Sequence, residues 1–342
     1  MSQVNKEVLT DNYSIVKSIG ETIIFACIES LCMETLEEVV EHKKALVFGV
    51  GGCGDVVSTI PTARFLEAHG VDVILGGVAW ERVVVDPRPG PRHFEEIEGI
   101  EPLNDTVALA TGETRTVDGI EFAETHVACH HEEDVVLIDI DGGACGVAAG
   151  LDDACDILGI DLVVGTDAGG DVLAAGDEPG IKSPLTDAVM LSALTQLDTN
   201  SCLGVYGYGS DGELTHEEIA AGITRASKRN GLLGSWGLTP RIIDEMNELL
   251  EMVTTEASRL PVEVAQGKLK ETMIRDGDRS VKLTPASTVT FYLDPTVVSA
   301  TSDLSDCVSD TESFESAQNA LVQAGYKTEL SYEQQFATNR NS

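Results

Sequence analysis

Three turns rich in glycine and aspartate, each following a short apolar run, carry the residue types that bind and activate small molecules. They read Gly49-Val50-Gly51-Gly52-Cys53-Gly54-Asp55, Thr166-Asp167-Ala168-Gly169-Gly170-Asp171 and Tyr206-Gly207-Tyr208-Gly209-Ser210-Asp211-Gly212. Glycine lets backbone N–H groups come close to a ligand. Aspartate supplies a metal ligand, a proton acceptor or an acceptor for a hydroxyl. Gly51, Gly52 and Gly54 are therefore the expected cradle for an anion, with Gly169, Gly170, Asp171 and Asp211 as further ligand contacts. Asp55 and Asp167 are the expected catalytic pair. Asp139 ends a further apolar run, Val135–Ile140, and completes an expected metal set of Asp139, Asp167 and Asp171. Carboxylates at strand ends can hold Mg2+ through one or two oxygens plus a ligand phosphate. Converging buried carboxylates repel one another, so they require a cation or raised pKa values.

Other chemistries fit less well. Gly49-x-Gly51-x-x-Gly54 matches the spacing of a dinucleotide fingerprint. However, Pro61 would lie inside a helix that began at Asp55, at a cost of about 3 kcal/mol. The helix is therefore expected to start near Ile60. The next apolar run ends Leu75-Gly76-Gly77, without the acid that would grip a ribose, so NAD is disfavoured. No Walker lysine follows the loop. His126, Cys129, His130 and His131 match no closed zinc spacing, and the following Glu132-Glu133-Asp134 makes this stretch read as an exposed loop. No Gly-x-Ser-x-Gly elbow is present.

These turns need a scaffold. Apolar runs of strand length recur at Ala45–Val50, Val71–Gly76, Val135–Ile140, Leu162–Gly165, Cys202–Tyr206 and Val289–Leu293. Most are apolar throughout, as strands buried on both faces are. Between them lie helical stretches: Pro61–His69, Leu185–Leu197 with Ser183 as N-cap and Pro184 at N1, Ile219–Ser227 behind a Thr215–Glu218 capping box, and one from Pro240 to about Ser258. Alternation of this kind predicts an α/β fold, a doubly wound, mostly parallel Rossmann-like sheet with helices on both faces. In such a sheet, ligands bind at the carboxyl ends of the strands. Arg82–Ile120 reads as an ordered loop or hairpin excursion, and its Arg82, Arg88 and Arg92 face either an anionic ligand or surface carboxylates. Gly54-Asp55-Val56-Val57 is echoed by Gly170-Asp171-Val172-Leu173.

The chain of 342 residues has 58 acidic residues against 22 Lys plus Arg, a formal charge of −36, yet 42% of its residues are hydrophobic. This describes a folded protein with a carboxylate-covered surface, suited to cytoplasm at molar salt, where screening weakens self-repulsion. A salt-in halophilic archaeal source and a cytoplasmic location are the expectations. Nucleic acid and membrane surfaces are disfavoured as partners, since both need clustered Lys and Arg. The eight cysteines form no C-x-x-C pair and read as reduced thiols. No apolar run reaches the roughly 18 residues of a membrane span. Residues 1–32 carry only −2 and read as an extension before a start at Met33. Residues 33–330 are expected to form the domain and 331–342 a tail, with Thr338–Ser342 disordered.

Taken together, Ala45–Val57, Asp167–Leu173, Ser183–Ala188 and Gly209–Leu214 resemble the archaeal family of unknown function numbered eleven-fifty-two. The resemblance runs from about Leu36 to Leu330 and leaves residues 1–32 outside. Cys53 stands where a further glycine is expected. The family implies a coherent Rossmann-like fold and no particular activity. A shorter stretch, Gly54–Pro61 with the following helix and Val71–Leu75, looks like the N-terminal loop of heptosyltransferase-type glycosyltransferases. That resemblance implies Asp55 as the base that deprotonates an acceptor hydroxyl. The leading expectation is an enzyme that binds a phosphorylated or nucleotide-linked metabolite, with Mg2+ as candidate cofactor. The alternatives are a non-catalytic metabolite-binding or interaction protein and a glycosyltransferase. Assembly into a homo-oligomer is left open.

Overall fold

The computed structural model describes residues 33, 35–268, 271–277 and 279–340. The expected extension at residues 1–32 lies outside the described residues. The strands are β1 Lys44–Gly49, β2 Asp72–Val78, β3 Ile97–Pro102, β4 Val107–Thr116, β5 Val135–Ile138, β6 Leu162–Ala168, β7 Asn200–Tyr206, β8 Leu232–Gly237, β9 Glu271–Ile274, β10 Arg279–Lys282 and β11 Val289–Leu293. Nine of them form one sheet in the order β3-β4-β5-β2-β1-β6-β7-β11-β8. The centre, β5-β2-β1-β6-β7, is parallel throughout. On the flanks, β4 and β11 run against their neighbours. The fold is thus α/β, with a mostly parallel sheet of Rossmann-like, doubly wound type.

The central strands were legible because both of their faces are buried. Along β1, Leu46 and Phe48 join a large core with Val147, Leu151, Leu185 and Val189 from the helices Gly143–Leu158 and Pro184–Leu194. The intervening Ala45 and Val47 are equally buried. On their side the helices Thr59–Ala68 and Ala123–His131 cover the sheet. Each such fully buried aliphatic or aromatic side chain contributes about 1.5–3 kcal/mol.

Several expectations change. The Arg82–Ile120 segment is not a mere excursion: its β3-β4 hairpin extends the main sheet, with β4 antiparallel to β5. The helix read from Pro240 to Ser258 is two helices, Pro240–Leu249 and Glu256–Ala265, the second capped by Thr255. His126, Cys129, His130 and His131 lie on the helix Ala123–His131, not on a loop. The three histidines face Glu121, Glu248 and Glu245 at 3.7–3.8 Å. Of the stretch read as a tail, residues 331–340 belong to the helix Glu329–Arg340, and residues 341–342 lie outside the described residues. No helix among the described residues is long and apolar enough to cross a membrane.

This last helix caps the middle of the chain. The first N–H groups of any helix lack intrahelical partners. At Pro184–Leu194 the expected cap, Ser183, turns its hydroxyl to Glu213 instead. Glu329 takes its place: its buried carboxylate accepts from Leu185 N at 2.9 Å, Thr186 N at 2.8 Å and Thr186 Oγ1 at 2.7 Å. Replacement by alanine strands those donors in the interior. Glu329→Ala should lower unfolding free energy by about 1–3 kcal/mol, whereas the exposed Val84→Ala should stay within about 0.5 kcal/mol of the parent. Urea unfolding in constant high salt measures both, and a Glu329→Ala midpoint equal to the parent's would remove this cap from the account.

Candidate functional site

Strand order decides where ligands sit. From β1 the chain crosses to β2 on one side, and β6 lies against β1 on the other. This reversal opens a crevice beyond the carboxyl ends of β1 and β6, the usual ligand position in such sheets. The two echoing sequences lie side by side there. Each is a strand followed by a tight 3-10 turn, Cys53–Ser58 after β1 and Asp171–Leu173 after β6. The third glycine-rich turn follows β7 and is tied to the second by Gly209 N donating to Gly169 O at 2.6 Å.

The three turns converge on one cleft. Its walls include Gly51, Gly52, Gly54, Asp55, Asp167, Asp171 and Asp211, all expected from the sequence. Asp187, Glu213, Arg82, Arg275 and Arg279 complete its charged lining. One oxygen from each of Asp167, Asp171 and Asp187 lies within 4.8 Å of the others, and the same holds for Asp171, Asp211 and Glu213. Hard divalent cations such as Mg2+ take carboxylate oxygens as ligands, so both groups have suitable donor chemistry.

The glycines serve this convergence. Gly169 is at φ 135°, and a Cβ there would run into the Asp211 carboxyl. A Cβ on Gly54 would strike Thr255. A Cβ on Gly51 would meet Asp55 Oδ2 at 2.5 Å and Asp187 Oδ1 at 3.3 Å. These positions lack side chains because acidic and capping side chains occupy the space. Of the three glycines expected to cradle an anion, Gly51 has its N–H engaged within the loop. Gly51 N donates to Asp55 Oδ2 at 3.1 Å, Cys53 N to Trp80 O at 2.8 Å and Asp55 N to Gly52 O at 3.2 Å. Cys53 has φ 53°, in the region that favours glycine. Burial pushes its thiol well above the usual range, which disfavours the thiolate form.

Electrostatics follow from burial. Asp55 is raised to about 6 by burial, with Arg82 and the Gly51 N–H pulling the other way. Asp211 is raised to about 7, by burial first and then by Glu213. Asp167, Asp171 and Asp187 all lie well above the usual carboxylate range, by burial first and then by neighbouring carboxylates: Asp55 and Asp211 for Asp167, Asp187 and Asp211 for Asp171, and Asp167 and Asp55 for Asp187. Asp167 Oδ2, Asp187 Oδ1 and Asp211 Oδ1 are buried without a hydrogen-bond partner. Glu213 is anchored, accepting from Lys182 N at 2.6 Å and Ser183 N at 3.0 Å and pairing with Arg279 at 2.9 Å. Arg82 lies over the Trp80 ring and donates Nη2 to Gly51 O at 2.9 Å, leaving Nη1 without a partner. Burial opposes its charge, but Glu329 and Glu333 hold its pKa above the ordinary value.

Two expectations separate from the site. Asp139 does not join the other aspartates. It directly follows β5, three positions from β6 in the sheet, which puts roughly 15 Å between their axes at about 4.8 Å per strand. Its carboxylate accepts from Asp141 N at 2.9 Å and Phe94 N at 3.3 Å. Of the three arginines, only Arg82 reaches the cleft; Arg92 is paired with Asp86 and Asp118, and Arg88 with Glu96. Asp187 was missed, although its signal is present in the sequence. It is the lone acid in a helix whose every residue from Pro184 to Leu194 is buried, and such a charge is rarely buried without a partner or a task.

A protein-family model described as "Protein of unknown function (DUF1152)" matches residues 46–337, and the chain belongs to that family. Searches of curated proteins and of solved structures found no match.

The raised carboxyls carry a signed consequence. With folded values of about 6 for Asp55 and about 7 for Asp211, against 3.8 unperturbed, the folded chain keeps protons that the unfolded chain has already released. This stabilisation is full below the unperturbed 3.8 and is lost progressively as pH rises through the folded values of about 6 and about 7, each tenfold difference in proton affinity being worth roughly 1.4 kcal/mol. The thermal midpoint of cation-stripped protein in constant molar KCl should be higher at pH 5 than at pH 8. Asp187→Asn should raise the pH 8 midpoint and flatten the slope. Equal midpoints at the two pH values, or a steeper slope in the variant, would contradict this.

Proposed function

We propose that this member of the DUF1152 family is an enzyme that binds a phosphorylated or nucleotide-linked metabolite together with a divalent cation, Mg2+ being the first choice. The observation that carries this reading is the set of buried, unpartnered oxygens on Asp167, Asp187 and Asp211, three residues that line one cleft. A buried carboxylate oxygen without a donor is costly unless a proton or a cation meets it.

Asp167, Asp171 and Asp187 would hold the cation. Bound there, it would supply Lewis-acid neutralisation of phosphate oxygens. Arg82, Arg275 and Arg279 line the same cleft and would face the remaining anionic oxygens, Arg82 through its open Nη1. Asp55, raised to about 6, is largely ionised at neutral pH and still basic enough to take a proton from a hydroxyl or water. It is oriented by Gly51 N. The same position for a base suits transfer to an acceptor hydroxyl, the glycosyltransferase alternative. A non-catalytic sensor would share the binding and lack turnover. The acid-covered surface supports a salt-in halophilic setting and guides the choice of buffer.

The test is a thermal-shift series on cation-stripped protein in molar KCl, with Mg2+ or Mn2+, nucleoside diphosphates, nucleotide-sugars and sugar phosphates, singly and paired. A pair present at about 100 times its Kd should add about 2.7 kcal/mol of stability. Asp167→Asn should fold and lose that gain. No gain with any cation or anion, or an unchanged gain in Asp167→Asn, would overturn the assignment. Consumption of the stabilising anion would then separate enzyme from sensor.

A further inference from the structure

We propose that the cleft holds two divalent cations sharing Asp171, the first on Asp167 and Asp187 and the second on Asp211 and Glu213. This rests on the cation reading above and extends it.

Three observations support a second ion. First, the two close carboxylate groups have Asp171 in common. One carboxylate has two oxygens, and a shared carboxylate is how paired ions are commonly bridged, roughly 3.5–4 Å apart. Second, each group has its own open donor. Asp167 Oδ2 and Asp187 Oδ1 belong to the first group and Asp211 Oδ1 to the second, and none has a hydrogen-bond partner. These residues are 1%, 6% and 5% exposed, so water cannot freely serve as the missing partner. Glu213 is the fixed member of the second group, held by Lys182 N, Ser183 N and Arg279.

Third, charge decides the number of ions. Six carboxylates and three guanidinium groups line the cleft, giving −3 when all are ionised. One divalent ion leaves −1, and the cleft still repels a phosphate. A second ion brings it to +1. An anionic ligand is therefore admitted with the second ion, and a phosphate group, with several oxygens on one atom, is suited to span the pair.

The experiment is Mn2+ titration of the cation-stripped full chain at pH 8 in molar KCl, followed by electron paramagnetic resonance of free and bound ion. Two Mn2+ per chain with a spin-coupled spectrum are expected. Inorganic phosphate, used as the probe anion, should tighten the weaker ion several-fold. Asp211→Asn and Asp187→Asn should each retain one uncoupled ion and weaken the other at least tenfold. Asp171→Asn should weaken both. The coupled spectrum of the parent needs no variant, so a misfolded substitution does not spoil the test. One uncoupled ion in the parent would overturn the two-ion centre and leave the single-cation reading standing. No bound ion would overturn both.

Discussion

Mutual repulsion of buried carboxylates at the β1/β6 reversal is the constraint around which the structure is arranged. Two such charges no more than 4.8 Å apart repel by at least about 3.5 kcal/mol at an effective dielectric constant of 20. Asp167, Asp171, Asp187 and Asp211 incur several such terms at once. A fold accepts that only if the scaffold is strong enough to hold the groups together and if something returns the energy. The scaffold is a five-strand parallel centre buried on both faces, which cannot open locally without exposing its core.

Convergence also depends on pieces distant in sequence. The Pro184 helix carries Asp187, and its N-terminus is satisfied by Glu329 from the C-terminal helix. Glu333, on the same helix, accepts from Trp80 Nε1 at 3.1 Å and Gly90 N at 3.0 Å, and Trp80 is the ring beneath Arg82. The C-terminal helix thus supports one acidic and one basic wall of the cleft. The β9-β10 hairpin brings Arg279, packed through Ile274 and Val281 against Leu260 and Val264.

The sequence disclosed the parts governed by local rules. Runs such as Ala45–Val50 and Leu162–Gly165 are apolar throughout because both faces are covered, and that pattern survives without knowledge of the partners. β8 is partly exposed at a sheet edge, and β3 exposes most of its side chains, so neither has a continuous apolar run to read. Thr215 capped its helix as expected because its partner Glu218 is three residues away. Ser183 did not, because its competitor Glu329 acts across 143 residues or more. Asp139 and Asp167 look alike as strand-end aspartates. Only strand order, a non-local property, separates one from the other.

The excess of carboxylates over arginines in the cleft finally imposes an order of events on the proposed chemistry. A chain of net charge −36 repels anions at long range, and molar salt weakens this without reversing it. Arg82, Arg275 and Arg279 are too few to invert the sign of a cleft with twice as many carboxylates. In the proposed site, cations would therefore enter first and create the positive field that an anionic ligand would meet, with the arginines setting orientation. In the proposed site protons and cations would compete for the same oxygens, so acidification would empty it while relieving the repulsion that cations otherwise neutralise. The raised carboxyls, the open oxygens and the scarcity of basic residues are three expressions of that single balance.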